Sequence, residues 1–345
     1  MTVIRRIFLT GASGYIGGDI LHALREAYPQ HVLSVLVRDE AKAKIIATAY
    51  PDVRIVLGDL DSAPLIEREA SQADIIFHVA SSSHYQSVEA IARGLTQRDN
   101  PSPATWVQIS GASILSLSDI AEGRFGKGST EIFSDVDGVD VVRDIIRENA
   151  RRPVVPDFIR VNDLVLNLTG ARTGLVFPPI IYGRGRGVVK QRSVQIPELA
   201  RVAIETGQTI QVGQGESIWS NVHIADVSDI FVKLVEKAVQ DKTDGLWNQD
   251  GVYFPGNSSL SFGQISQQVA KAAHRLGLVK SDSVRSVEPQ EADKLSAHGA
   301  ILWGTNAQQN SQRARQFLGW QPKEKSLEEA IPETVQDEAH LLNKL

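Results

Sequence analysis

A chain of 345 residues, 42% hydrophobic and 22% charged, carries enough apolar content to bury a substantial core and reads as one large domain or two unequal ones. Its formal net charge of -5 removes the broad attraction that nucleic acid or an anionic membrane requires, so neither is an expected partner. With no cysteine, disulfides, thiolate nucleophiles, zinc ribbons and iron–sulfur clusters drop out together, and chemistry must come from oxygen and nitrogen groups.

Met1 to Thr10 is too short and too basic in its middle for a secretory leader, and no apolar run of about 18 residues follows, so a cytoplasmic protein is expected. Ile4 to Leu9 is an apolar run entering Gly11, and Ile20, Leu21 and Leu24 recur at helical spacing up to Pro29: strand, tight turn, helix. The alternation continues with strands over Val32–Val37, Arg54–Leu57 and Asp74–Val79 and helices over Ala41–Ala49 and Ala63–Ser71. Trp106–Ile109 and Leu175–Phe177 add further strands. Buried strands alternating with helices predict an α/β fold with a Rossmann-type doubly wound parallel sheet, because parallel strands need crossovers and the helices then cover both faces.

Between Leu115 and Pro156 the spacing signal weakens, predicting a surface excursion that leads into a helix, with Asp135, Asp137, Asp140 and Asp144 as a solvated approach and no metal site. Gly183 to Gly187 predicts a mobile loop, Pro197–Thr206 a helix, and Val222 to Ala238 a strand–helix unit returning to the sheet.

The segment Thr10-Gly11-Ala12-Ser13-Gly14-Tyr15-Ile16-Gly17-Gly18 joins the first strand to the first helix, the setting a dinucleotide site requires. Gly11 suits the tight turn, Gly14 lets backbone approach a pyrophosphate, Gly17 lets helix pack on strand, and N–H groups from Ser13 to Ile16 attract negative charge. A glycine turn that merely connects the two elements is the bland alternative. At the end of the second strand, where an acid holds the ribose of NAD, stands Arg38, with Lys42 one turn later. That pair suits a 2′-phosphate, so NADP is the expected cofactor. NAD stays possible through Asp39, with the two cations then merely solvated.

The even spacing of Gly11, Gly14 and Gly17 resembles that of the extended short-chain dehydrogenase/reductase superfamily, the group of NAD-dependent epimerases and dehydratases. Further stretches are similar in the same order. Gly58-Asp59-Leu60 resembles the adenine-side turn, and His78-Val79-Ala80-Ser81 the segment beside the ribose. Phe177-Pro178-Pro179-Ile180 resembles the nicotinamide-side loop, and Asn221 to Val227 and Phe317 to Pro322 two later signatures. The resemblance implies a dinucleotide-binding domain at 1–182, with 221–250 returning to it, and a smaller, mostly helical substrate domain at 183–220 and 251–345. It also implies a small-molecule substrate and a homodimer.

The family's proton donor is a tyrosine followed four residues later by a lysine, and here the chain departs from the pattern. The six tyrosines are followed at that distance by Asp19, Val32, Arg54, Glu89, Arg186 and Asn257. The stretch Arg160 to Leu166 is similar to the helix that carries the lysine but does not supply one. A replacement acid is therefore sought among Ser110 and Ser113, where the family keeps a substrate-polarising hydroxyl, although the best alignment with that hydroxyl falls on Gly111. His84 and Tyr85, in the loop after the fourth strand, are the other candidates, while His78 and His223 read as structural. These serines also read as local backbone partners and the loop pair as bystanders. Three functions remain in view: an NADP-dependent oxidoreductase on a small carbonyl or alcohol with an atypical donor, a non-catalytic cofactor-sensing scaffold, and a sugar-nucleotide epimerase or dehydratase. Against the last, Trp219-Ser220-Asn221 lacks the arginine such enzymes place before that signature. Trp219, Trp247, Tyr253 and Phe254 read as pocket lining or as core.

Overall fold

The computed structural model describes residues 4–98 and 102–345, so the first three residues of the leader reading and residues 99–101 lie outside it. The first glycine turn sits between β1 (Arg6–Thr10) and α1 (Tyr15–Ala27), followed by β2 (Val32–Val37), α2 (Glu40–Ala49), β3 (Arg54–Leu57), α3 (Ala63–Gln72), β4 (Ile75–His78), α4 (Tyr85–Thr96) and β5 (Thr105–Ile109). After α5 (Leu117–Glu122), β6 (Ile132–Ser134), α6 (Val139–Ala150) and α7 (Asp157–Asn167), β7 (Arg172–Val176) rejoins the sheet beside β5. Then come β8 (Ile180–Tyr182), α8 (Gln195–Thr206), β9 (Thr209–Val212), β10 (Ile218–His223), α9 (Ile224–Val239) and β11 (Val252–Tyr253).

Seven parallel strands lie in the order β11-β7-β5-β4-β1-β2-β3, and the chain reverses direction between β1 and β4. In such a sheet the ligand crevice opens at the carboxyl ends of the two strands flanking that reversal. Side-chain alternation explains why the central strands are mostly apolar on both faces. Ile7 and Leu9 face α1 and α9, whereas Phe8 faces the opposite layer with α3, α4 and α7, so each strand feeds two cores.

The remaining chain builds β12 (Ser258–Ser261), α10 (Phe262–Arg275), β13 (Val284–Val287), α11 (Pro289–Leu295), α12 (Gly299–Gly304), β14 (Gln308–Asn310), α13 (Arg313–Leu318) and α14 (Leu327–Leu341). Leu327 and Ile331 of α14 share one apolar cluster with Phe8 and Trp106 of the main sheet, so the second lobe is welded to the first. Among the described residues no helix is long and apolar enough to cross a membrane.

Three sequence expectations are corrected. The Val222 to Ala238 unit returns only in part: α9 lies against α1, but β10 pairs with β8 and β12 in a separate sheet, and β11 supplies the seventh strand. The Gly183–Gly187 loop is pinned rather than loose. Arg186 is bound to the buried Asp19 of α1, and Gly187 lies so close to Gly18 that a Cβ on Gly18 would meet its Cα at 3.2 Å. Asp135 is not solvated: it is fully buried and accepts the N–H groups of Phe254, Gln312 and Arg313 at 2.8–3.0 Å, tying β6 to the second lobe. Sequence spacing hides the last two because the partners are more than 100 residues apart.

Candidate active site

At the mouth of the crevice the glycine turn is built to close tolerances. Gly11 has φ +83°, and a Cβ there would stand 2.8 Å from Ala80 Cα. A Cβ on Gly17 would stand 2.2 Å from the Gly11 carbonyl oxygen, so α1 reaches the turn only because both positions lack side chains. Gly14 caps α1 through its backbone; no side chain caps the helix and its first turn holds no acid. The open N–H groups there, with the helix dipole behind them, suit a phosphate.

A cleft of about 550 Å³ opens over this turn. Its walls bring together Gly11, Ser13, Gly14, Tyr15, Ile16 and Gly17 with Arg38, Lys42, Asp59, Leu60, Val79, Ala80 and His84. Leu36, Val37, Gly58, Asp61 and Val194 complete it. Sequence reasoning missed Val194 and Asp61; Val194 has no signature in the sequence, whereas Asp61 directly follows the Gly58-Asp59-Leu60 turn that did signal the site.

Asp39 is oriented away from cofactor duty. Its carboxylate caps α2 by accepting the Lys42 N–H at 2.9 Å, and that bond, with the cations of Lys42 and Arg38, holds it below the usual carboxylate range. Arg38 and Lys42 are the cations on the cleft wall. Asp59 shapes its own turn, accepting from Ser62 Oγ at 2.7 Å and the Asp61 N–H at 3.1 Å. Tyr15 donates to the carbonyls of Gly183 at 2.7 Å and Tyr182 at 3.1 Å, and burial, reinforced by Asp19, raises its phenol well above the ordinary value, so it remains a donor.

Ser81, Pro178, Pro179 and Ile180 do not line this cleft. Ser81 shapes the turn after β4, its hydroxyl accepting the N–H groups of Ser83 and His84 at 3.1 Å. Pro178, Pro179 and Ile180 are buried; Pro178 accepts the Ala112 N–H at 3.2 Å, zipping the loops after β5 and β7 together. Ser110 is buried in that zipper, its N–H bonded to Val176, whereas Ser113 is exposed.

Of the two loop candidates, only His84 reaches the cleft, and it faces Asp61 across it at 3.2 Å. Tyr85 lies outside, with the Arg160 guanidinium of α7 3.6 Å above its ring. Trp219, Trp247, Tyr253 and Phe254 are core residues. Among the described residues no group of three or more His, Asp or Glu side chains is placed to hold a metal.

Known proteins with similar sequences agree with this architecture. A model of the NmrA-like family matches residues 4–96. The oxidase ucsJ of an Acremonium species is 36% identical over 98% of this chain and 99% of its own. The chain belongs to the extended short-chain dehydrogenase/reductase superfamily, a family of NAD(P)-dependent oxidoreductases. An uncharacterised Saccharomyces cerevisiae protein is 23% identical over 94% of this superfamily member and 97% of its own length. Among solved structures, the dTDP-glucose 4,6-dehydratase DesIV of Streptomyces venezuelae, with NAD and TYD bound, superposes with a TM-score of 0.65 at 17% identity over 97% of both chains. The dTDP-glucose 4,6-dehydratase of Bacillus anthracis, in complex with NAD, gives 0.66 at 17% identity over 98% of this chain and 97% of its own.

Proposed function

We propose that this protein is a cytoplasmic, NADP(H)-dependent oxidoreductase acting on a small carbonyl or alcohol, with an atypical proton donor. The observation that carries the cofactor choice is the division of labour at the end of β2. Asp39, the acid that would receive a ribose 2′-hydroxyl, is engaged as a helix cap, while Arg38 and Lys42 line the cleft. A guanidinium and an ammonium there match a 2′-phosphate and offer nothing to a bare hydroxyl that water does not.

In this reading residues 1–182 with 221–250 form the cofactor domain, and 183–220 with 251–345 shape the substrate side of a homodimer. The α1 N-terminus holds the pyrophosphate, and Gly14 leaves room for it. Bound NADP(H) would supply or accept the hydride. Among the four candidate acids, Ser110, though buried and off the cleft wall, is favoured for the substrate oxygen by its place at the carboxyl end of β5, next to β4 and the sheet reversal. Tyr85 lies outside the cleft beneath Arg160, and His84 faces the adenosine-side turn rather than the nicotinamide side.

A panel of small aldehydes, ketones and alcohols, followed by the change in NADPH absorbance, tests the reading. Turnover that falls at least tenfold in Ser110→Ala, with cofactor affinity retained, supports it. Tight cofactor binding with no substrate consumed anywhere in the panel sinks it in favour of a cofactor-sensing scaffold, the reading that the missing tyrosine–lysine pair favours.

A further inference from the structure

A continuous line of hydrogen bonds runs through buried residues behind the cleft, from beside the glycine turn to the Asp61 wall. Thr10 Oγ1, at the end of β1, accepts the Ala80 N–H at 3.3 Å and lies 2.6 Å from His78 Nδ1. His78 Nε2 lies 3.0 Å from Ser87 Oγ of α4. Ser87 Oγ donates to the His84 carbonyl at 2.9 Å, and the Ser87 N–H donates to His84 Nδ1 at 3.2 Å. His84 Nε2 then meets Asp61 Oδ1 at 3.2 Å, on the turn after β3.

Counting protons fixes every direction in the chain. Ser87 has one hydroxyl proton and gives it to the His84 carbonyl, so it must accept from His78 Nε2. His78 Nδ1 is therefore bare and accepts the Thr10 hydroxyl, whose lone pair takes the Ala80 N–H. His84 Nδ1 is bare for the same kind of reason, since it accepts a backbone N–H, and its Nε2–H points at Asp61. His78 is fully buried, and burial, with His84 nearby, pushes its pKa down to about 3, in keeping with a neutral ring.

We propose that His78 is a positioning residue for the cofactor cleft: as the neutral Nε2–H tautomer it ties the glycine turn to Ser87 and so sets the His84–Asp61 bridge that joins the cleft's two walls. The proposal rests on the cofactor reading of this cleft. The bridge spans the adenosine-side wall of Asp59, Leu60 and Asp61 and the β4 wall of Val79 and Ala80, both of which line the cleft. A dinucleotide held between these two walls would have to pass the bridge to leave, so loosening the chain at any member would accelerate release.

Two measurements test it. In the ligand-free protein, nitrogen NMR of the His78 ring is expected to show a protonated Nε2 and an unprotonated Nδ1; a protonated Nδ1 overturns the proposal whatever the cleft binds. Stopped-flow NADPH dissociation reads the bridge itself. His78→Phe and Asp61→Ala are each expected to speed release by about fivefold, the net effect of about one hydrogen bond, and the double variant no more than the larger single effect. His78→Gln, which keeps the donor to Ser87, is expected to retain most of the wild-type rate. Additive effects, or unchanged release in Ser87→Ala and Asp61→Ala, overturn the proposal. Failure of the wild-type protein to bind either dinucleotide would instead defeat the cofactor reading and leave the tautomer result to stand on its own.

Discussion

Replacing Gly17 by alanine adds one methyl group at the tightest point of the phosphate-binding turn. Its Cβ would lie 2.2 Å from the Gly11 carbonyl oxygen, 2.6 Å from the Gly11 carbonyl carbon and 3.0 Å from a methyl of Val79. An ordinary carbon–oxygen contact is roughly 1 Å longer than the first of these, and two of the three neighbours are backbone that no rotamer change can move. Relief therefore requires α1 to back away from β1 by about that distance. The helix cannot do so freely, because Asp19 is bound to Arg186 and Gly18 abuts Gly187 on its other side. Overpacking of this kind costs about 1–3 kcal/mol, and two rigid partners place Gly17→Ala near the upper end. A misplacement of about 1 Å at the helix N-terminus is further expected to weaken NADPH binding by about tenfold to a hundredfold. Urea denaturation and fluorescence titration read the two effects, with Gly138→Ala, whose nearest neighbour would be Ser134 Cβ at 3.5 Å, as the control expected to shift stability by less than about 1 kcal/mol. Wild-type stability together with wild-type affinity in Gly17→Ala would refute the steric reasoning.

Asp19→Asn removes the charge from a fully buried carboxylate held by Arg186 and Ser228. It is expected to destabilise by about 2–3 kcal/mol in chemical denaturation, less than a fully buried pair because the Arg186 side chain keeps 36% of its exposure. Stability is expected to fall on acidification between about pH 6.5 and pH 3, since the unfolded His78 takes up a proton that the folded ring refuses until about pH 3. The slope from this one residue is about 1.4 kcal/mol per pH unit, and His78→Phe removes it from the acid limb of the denaturation profile. Asn162 of α7 is fully buried with neither amide atom partnered, so Asn162→Leu is expected to raise the thermal midpoint; a lowered midpoint would show that the amide has a role the packing does not reveal.

Much of the fold was legible because its physics is local. Val32–Val37 is a strand in sequence and in space, since an apolar run broken only by Ser34 fits a strand covered on both faces. The glycine turn was legible too: the geometry at Gly11 and Gly17 is dictated by residues within the same motif or on the neighbouring strand. What escaped depended on partners distant in sequence. Gly183–Gly187 has the composition of a loose loop, yet the buried Asp19 needs a cation, and Arg186 supplies it from 167 residues away. Asp135 looked solvated among its acidic neighbours because the three N–H groups that bind it belong to residues 254, 312 and 313. At the site, charge type at Arg38 and Lys42 was readable, but the engagement of Asp39 as a helix cap was visible only once α2 was in place.

In the proposed cofactor site Arg38 and Lys42 face the 2′-position of a dinucleotide anchored on the α1 N-terminus. Titrating the purified protein with NADPH and NADH side by side, and repeating both with Arg38→Ala, tests it most directly. Tighter binding of NADPH, with the preference reduced by about tenfold or more in Arg38→Ala while NADH affinity stays put, is the expected result. Tighter binding of NADH by the wild-type protein would contradict it.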